Sequence, residues 1–241
     1  MLLYYDAIKQ RADCTLKQEF PLYQLYYYPC NASMAPHFML EALRTKYQIE
    51  FELLKVDRKN NAQKSAQYLA LNPAGRIPTL IDREQAIFES PAICIHLAEQ
   101  HPQAKLIPAI GTSERAKFMQ WMMYLTNTLQ AELMVYFYPE KHSTDVTHAA
   151  AIKQAQDQRV SDILALLDNE LANSTYLVGD SISACDYFLF MLAVWADEIT
   201  KPPLEFTHLA RYLRQLAKQP EIIKACETEG VSLALYQENK A

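Results

Sequence analysis

The chain has 241 residues, half of them hydrophobic and 21% charged, with a formal net charge of −5. At roughly 100–200 residues per domain that length fits one large domain or two modest ones, and the composition excludes wholesale disorder. Twenty-three Lys and Arg against 28 Asp and Glu leave no cationic excess for a phosphate backbone, so nucleic acid is excluded as a partner. Only four glycines occur, which removes any G-x-G-x-x-G or Walker loop. No apolar run approaches the roughly 18 residues of a membrane span. The opening Met1–Asp6 lacks the basic and apolar regions of a secretory signal. Five cysteines without a C-x-x-C pair read as reduced thiols of a cytoplasmic protein.

Residues 1–20 mix charged and apolar residues and read as an N-terminal extension ending before Pro21. Leu22–Tyr28 is Tyr-rich, has strand propensity and is stopped by Pro29. Met34, Phe38, Met39, Ala42 and Leu43 recur at three and four, which predicts a helix face. Ile49, Phe51 and Leu53 alternate with glutamates as in a half-buried strand. Asn60 or Asn61 is placed to cap a short helix ending near Leu71, and Asn72–Gly75 is a loop. Thr79–Ile81 and Ala86–Phe88 predict two short strands, and Ser90-Pro91 opens a helix running to Gln100. The order β-α-β-α-β-β-α makes an α/β layer over residues 21–103.

The texture changes at residues 104–112, a linker marked by Pro108 and Gly111, and residues 113–241 read as all helix. Phe118, Met122, Leu125, Leu129 and Leu133 form one apolar stripe; Val160, Ile163, Leu164, Leu167 and Leu171 form another. Ser183 and Asp186 have the spacing of a capping box ahead of the apolar run Tyr187–Trp195. Two short helices are expected around Pro220.

Three places in the α/β layer carry side chains with chemistry. Cys30 and Ser33 lie where the first strand passes into a helix, whose amide end stabilises an anion and can lower a thiol pKa. Arg76-Ile77-Pro78 places a proline between a loop and a strand, where a cis bond exposes the preceding backbone to a peptide ligand. Glu89-Ser90 begins the last helix of the layer, with Ser90 a natural N-cap and Glu89 an acceptor for an ammonium. A ligand with a central thiol, a peptide backbone and an amino-acid head group suits all three, and glutathione has that form. His37 and His96 lack a second ligand at metal spacing, so core or surface roles and no metal site are expected.

The motifs Tyr27-Tyr28-Pro29…Ser33-Met34-Ala35-Pro36-His37, Asn72–Pro78, Phe88-Glu89-Ser90-Pro91 and Gly179–Asp186 stand in an order and spacing that resemble cytosolic glutathione S-transferases. The first is similar to the bacterial beta class. The resemblance covers about residues 22–228. It implies a thioredoxin-like domain followed by an all-helical domain, a homodimer, and glutathione as co-substrate in the conjugation of a small apolar electrophile, a detoxification chemistry. It also implies that Pro78 is the cis-proline, that Arg76 and Ile77 face the glutathione backbone, and that Glu89 and Ser90 clamp its γ-glutamyl group. The Ser183/Asp186 box would be a structural folding element.

Two departures keep the catalytic atom open. The beta-class cysteine falls on Ala32, and the His-Lys pair of that class falls near Gln130-Ala131. Ser33 is the leading donor to the glutathione sulfur. Cys30, in a Cys-x-x-Ser pattern similar to glutaredoxins and omega-class transferases, would instead make the protein a thiol transferase. Tyr27 or Tyr28 is a third candidate, and a non-catalytic binding module is a reading of another class. Tyr124, Tyr136, Phe137, Tyr138 and Trp195 are candidate walls of a second-substrate pocket.

Overall fold

The computed structural model describes residues 23–237. The extension expected over residues 1–20 lies outside the described residues. Strand β1 (Tyr23–Tyr27) leads through a turn to helix α1 (Met34–Tyr47), strand β2 (Phe51–Lys55) and the short helix α2 (Ala66–Leu71). Strands β3 (Thr79–Asp82) and β4 (Gln85–Phe88) form a hairpin, and α3 (Ser90–Gln100) follows. The sheet order is β2-β1-β3-β4. Strand β1 runs parallel to β2, with Tyr23 opposite Phe51, and antiparallel to β3, with Tyr26 opposite Thr79. This is the thioredoxin-like arrangement.

The remainder is helical: α4 (Ser113–Tyr124), α5 (Ala131–Phe137), α6 (Ala149–Glu170), α7 (Ala184–Trp195), α8 (Thr207–Leu216), α9 (Pro220–Glu229) and α10 (Ala234–Gln237). Both expected apolar stripes are buried, and the first runs through a π-helical segment, Leu125–Gln130, that joins α4 to α5. The Thr126 hydroxyl donates to the Met122 carbonyl there.

Helix α1 is more deeply enclosed than its stripe implies. All ten residues Met34–Leu43 are buried, including His37 and Glu41. The reason is position: α1 packs against α3 on one side and against α7 and α9 of the helical half on the other. No face is left for solvent over those turns.

Two local expectations fail. Neither Asn60 nor Asn61 caps a helix; the Asp57 carboxylate captures the Asn60 amide and side chain, closing a 3-10 turn at Arg58–Asn60. Asn61 then takes a left-handed φ of 56°, a conformation asparagine tolerates, and Ser65 caps α2 by accepting from Tyr68 N–H. Ser90 is the first residue of α3 rather than its cap, and Glu89 occupies the cap position with φ 71°.

The Ser183/Asp186 box forms and reaches beyond its own helix. One carboxylate oxygen of Asp186 accepts from Ser183 N–H and Oγ; the other accepts from Leu177 N–H and Tyr212 Oη. Burial pushes this carboxyl up while those hydrogen bonds pull it down. Asp186→Ala would strand four donors in the core. At about 1–3 kcal/mol for a stranded buried group, a loss of roughly 3–5 kcal/mol is expected, read by urea unfolding; a loss under about 1 kcal/mol contradicts this role.

Candidate active site

The turn between β1 and α1 is held from three directions. From within, the fully buried Ser33 hydroxyl donates to the Tyr28 carbonyl at 3.1 Å and accepts from the Tyr28 N–H at 3.3 Å. From the α/β layer, Ser90 Oγ donates to the Ala32 carbonyl at 2.6 Å. From the helical half, a carboxylate oxygen of Glu229 accepts from Cys30 N–H at 3.0 Å. The other Glu229 oxygen lies 2.7 Å from His37 Nδ1. Residue Cys30 sits at φ 53°, a left-handed conformation that this outside bond helps to hold.

The three segments that carry the expected site residues do converge on this turn. Ser90 touches it directly. Ile77 forms a buried cluster with Val56 and Tyr68, against which Tyr28 packs. The Ile77–Pro78 bond is cis, and Ile77 precedes Thr79, the first paired residue of β3, so its main chain lies beyond the ladder. The Arg76 carbonyl is fixed by Tyr68 Oη and Asn72 Nδ2 at 2.7 and 2.8 Å, while the Arg76 residue itself is exposed. Glu89 is exposed at the start of α3.

The candidate catalytic atoms sit differently from expectation. The Ser33 hydroxyl already commits its hydrogen to Tyr28, and it makes no cap bond to its own helix. Its N–H, by contrast, has no hydrogen bond among the described residues. The Cys30 thiol is exposed, but its pKa is raised, where the helix-end reading expects it lowered. Desolvation is the main cause, followed by the carboxylates of Glu229, Asp197 and Glu198. Met34 begins the helix four residues further on, too far for the amide end to outweigh three acids. Tyr27 packs on the His37 ring, and desolvation followed by Glu229 raises its phenol. Tyr28 is half-buried with the Arg58 guanidinium 5.0 Å above its ring.

A cleft of about 400 Å³ opens beside this turn, lined by Tyr28, Lys55, Val56, Asp57 and Lys59. The aromatic residues expected to wall a second pocket are not among them. Tyr136 is instead anchored through its hydroxyl to the Glu198 carbonyl and lies under Lys153, and Tyr138 lies under Lys141.

The family model of the glutathione S-transferase N-terminal domain matches residues 23–99, and that of the C-terminal domain matches residues 125–220. The chain belongs to the glutathione S-transferase family. It is a glutathione transferase with glutathione as co-substrate. It is 24% identical over 210 residues to glutathione S-transferase GstA of Escherichia coli O157:H7, covering 86% of this chain and 99% of that protein. A sphingomonad glutathione S-transferase complexed with glutathione matches at TM-score 0.74 and 27% identity, over 87% of this chain and 100% of the other. A beta-class glutathione S-transferase from Sphingomonas chungbukensis matches at TM-score 0.74 and 28% identity, with the same coverage.

His37, expected in a core or surface role, is buried in the core, and its partner Glu229 carries no signal in the sequence. Glu229 stands 192 positions from His37, and no periodicity links them. The one available signal was a histidine inside an otherwise apolar helix start, which needs a buried partner.

Burial alone lowers the His37 pKa, but the hydrogen bond to Glu229 and the Glu41 carboxylate 3.6 Å from Nε2 outweigh it, and the net direction is up. A raised imidazole stabilises the fold fully below its unfolded value of about 6.5, and that contribution disappears as pH rises through the raised value. Glu229→Gln is therefore expected to cost about 3–5 kcal/mol at the acidic side of that window, where it leaves the buried imidazolium only Glu41, 3.6 Å from Nε2. Thermal melts across pH should show the gap to wild type narrowing as His37 deprotonates; a pH-independent gap contradicts the ion pair.

Proposed function

We propose that the transferase binds glutathione across the turn, with Glu89 and Ser90 taking the γ-glutamyl group and Ile77, beside Arg76 and cis-Pro78, pairing with the backbone. The sulfur then falls at the amide end of α1. The observation that carries this reading is the Ser90–Ala32 hydrogen bond, which brings the head-group clamp against the thiol turn. Glu89→Ala with Ser90→Ala should weaken glutathione binding by about 2–4 kcal/mol, at roughly 1–3 per charge-assisted contact. Calorimetric titration reads it, and unchanged affinity in the folded variant removes the clamp.

At the sulfur, the Ser33 N–H and the helix dipole stabilise the thiolate, and the Ser33 hydroxyl positions the turn. The buried bonds of that hydroxyl to Tyr28 favour this division of labour over direct donation. The thiolate then attacks a small electrophile held next to it, with proximity supplying much of the acceleration. Cys30, whose raised pKa keeps it a neutral thiol, takes no nucleophilic part. The finer assignments of cytoplasmic location, detoxification and a homodimer belong to the same reading. No helix among the described residues is long and apolar enough to cross a membrane. Exposed Met119 and Met123, one turn apart on α4, and Phe88 on the edge strand β4 supply apolar surface for a second copy. The division into domains at 21–103 and 113–241, joined by a linker at 104–112, belongs to the same proposal.

Two single variants separate the candidate atoms. Ser33→Ala should lower conjugation by one to two powers of ten, about 1.4–2.7 kcal/mol, with the midpoint of its pH–rate profile unmoved. A midpoint raised by about one unit or more would return the donor role to the hydroxyl. Cys30→Ser should retain conjugation. If it abolishes all turnover, the thiol-transferase reading replaces this one.

A further inference from the structure

Two thiols meet where α9 grips the β1–α1 turn, and the proposed conjugation chemistry uses neither. Cys226 stands three residues before Glu229 on α9, so the two occupy neighbouring positions on one helix face. Helix side chains lean toward the N-terminus of their helix. The Glu229 carboxylate that holds the Cys30 N–H at 3.0 Å therefore reaches back over the turn that carries Cys226. Cys30 is thereby docked above Cys226. The electrostatics agree with that placement: burial, then Glu229 and Cys30, pushes the Cys226 thiol up to about 12.

The two thiols differ in access. Cys30 is exposed and Cys226 is buried. Tyr236 is buried beside them: burial and Asp197 raise its phenol first, and Cys226 and Cys30 add to the rise. Its hydroxyl donates to Asp197 at 2.6 Å, and its ring packs on Phe190 with 5.3 Å between centroids. The end of α9 is tied down as well, because Val231 N–H donates to the Cys226 carbonyl at 2.9 Å just past the left-handed Gly230. The turn is the part that gives. Cys30 sits at φ 53°, with Glu229 holding its N–H from outside.

We infer that Cys30 and Cys226 form a redox pair that closes into a disulfide, and that closing it draws the turn out of the position proposed above to bind glutathione. The oxidant is glutathione disulfide. The Cys30 thiolate attacks one of its sulfurs, giving a mixed disulfide and releasing one glutathione, which takes up the proton that Cys30 lost. Cys226, deprotonated in its turn, attacks the Cys30 sulfur and releases the second glutathione. Two thiols lose two electrons, and one glutathione disulfide gains them. Both thiols are raised by burial, so each step is slow at neutral pH; the pair stays reduced through turnover and closes under sustained oxidation. A disulfide needs Cα atoms within about 7 Å, and the exposed Cys30 side chain must turn toward α9 to make one. That rotation carries Asn31, Ala32 and the Ser33 N–H with it.

The test incubates the full chain with glutathione disulfide, blocks the remaining thiols with iodoacetamide and reads unreduced peptides by mass spectrometry. The expected product is a linked Cys30–Cys226 peptide pair in a chain that runs as one chain on non-reducing denaturing electrophoresis. Its affinity for S-methylglutathione, which cannot reduce the bond, should fall by about tenfold and return after dithiothreitol. In Cys226→Ala the reaction should stop at the mixed disulfide on Cys30, and in Cys30→Ser Cys226 should stay free. A wild-type chain left reduced or stopped at the mixed disulfide, or a link to another cysteine or between two chains, overturns the pair. A linked pair with unchanged S-methylglutathione affinity overturns the switch. If the reduced chain itself fails to bind S-methylglutathione, the proposed glutathione site falls and the switch with it, while the peptide pair still decides the disulfide.

Discussion

A single buried carboxylate, Glu229, joins the two halves of this protein at the point where the chemistry is expected. One oxygen holds the Cys30 N–H and the other holds His37, so the last turn of α9 fixes both the β1–α1 turn and the first turns of α1. An isolated acid buried at that depth would be costly; pairing with a raised imidazole and an amide makes it tenable. The left-handed conformation of Cys30 and the docking of the β1–α1 turn on α9 are both held by that contact. The helical half therefore helps to build the turn at which we propose glutathione binds, although none of the residues that resemble glutathione ligands belongs to it.

The same contact explains why Cys30 looked more reactive in the sequence than in the fold. Proximity to a helix start is local and legible; the acids that raise the thiol come from residues 197, 198 and 229, far along the chain. Ser33 shows the reverse. Its position before Met-Ala-Pro-His pointed to the sulfur site, but whether its hydroxyl or its amide faces outward depends on the Tyr28 main chain curling back to meet it. Strand propensity, helical periodicity and capping-box spacing make the strands, both helical stripes and the Ser183/Asp186 box legible, because each is decided within a few residues. The Asn60 region escaped because Asp57 captures a turn that propensity would have given to a helix.

The charges around the turn also bear on its thiol: desolvation, followed by the carboxylates of Glu229, Asp197 and Glu198, pushes Cys30 up. That shift gives physical content to the departure from the beta-class motif. With Ala32 at the usual cysteine position and the Cys30 thiol raised, our proposal gives the chemistry to the bound glutathione sulfur.

The ionisation of that sulfur is the most direct test of this account. Difference ultraviolet absorbance of the thiolate, followed as the glutathione complex is titrated with alkali, reports it without any second substrate. The account predicts a bound thiol that ionises well below free glutathione, with the same shift in Cys30→Ser. A bound thiol that titrates as it does in water, or a shift that disappears with Cys30, would contradict it.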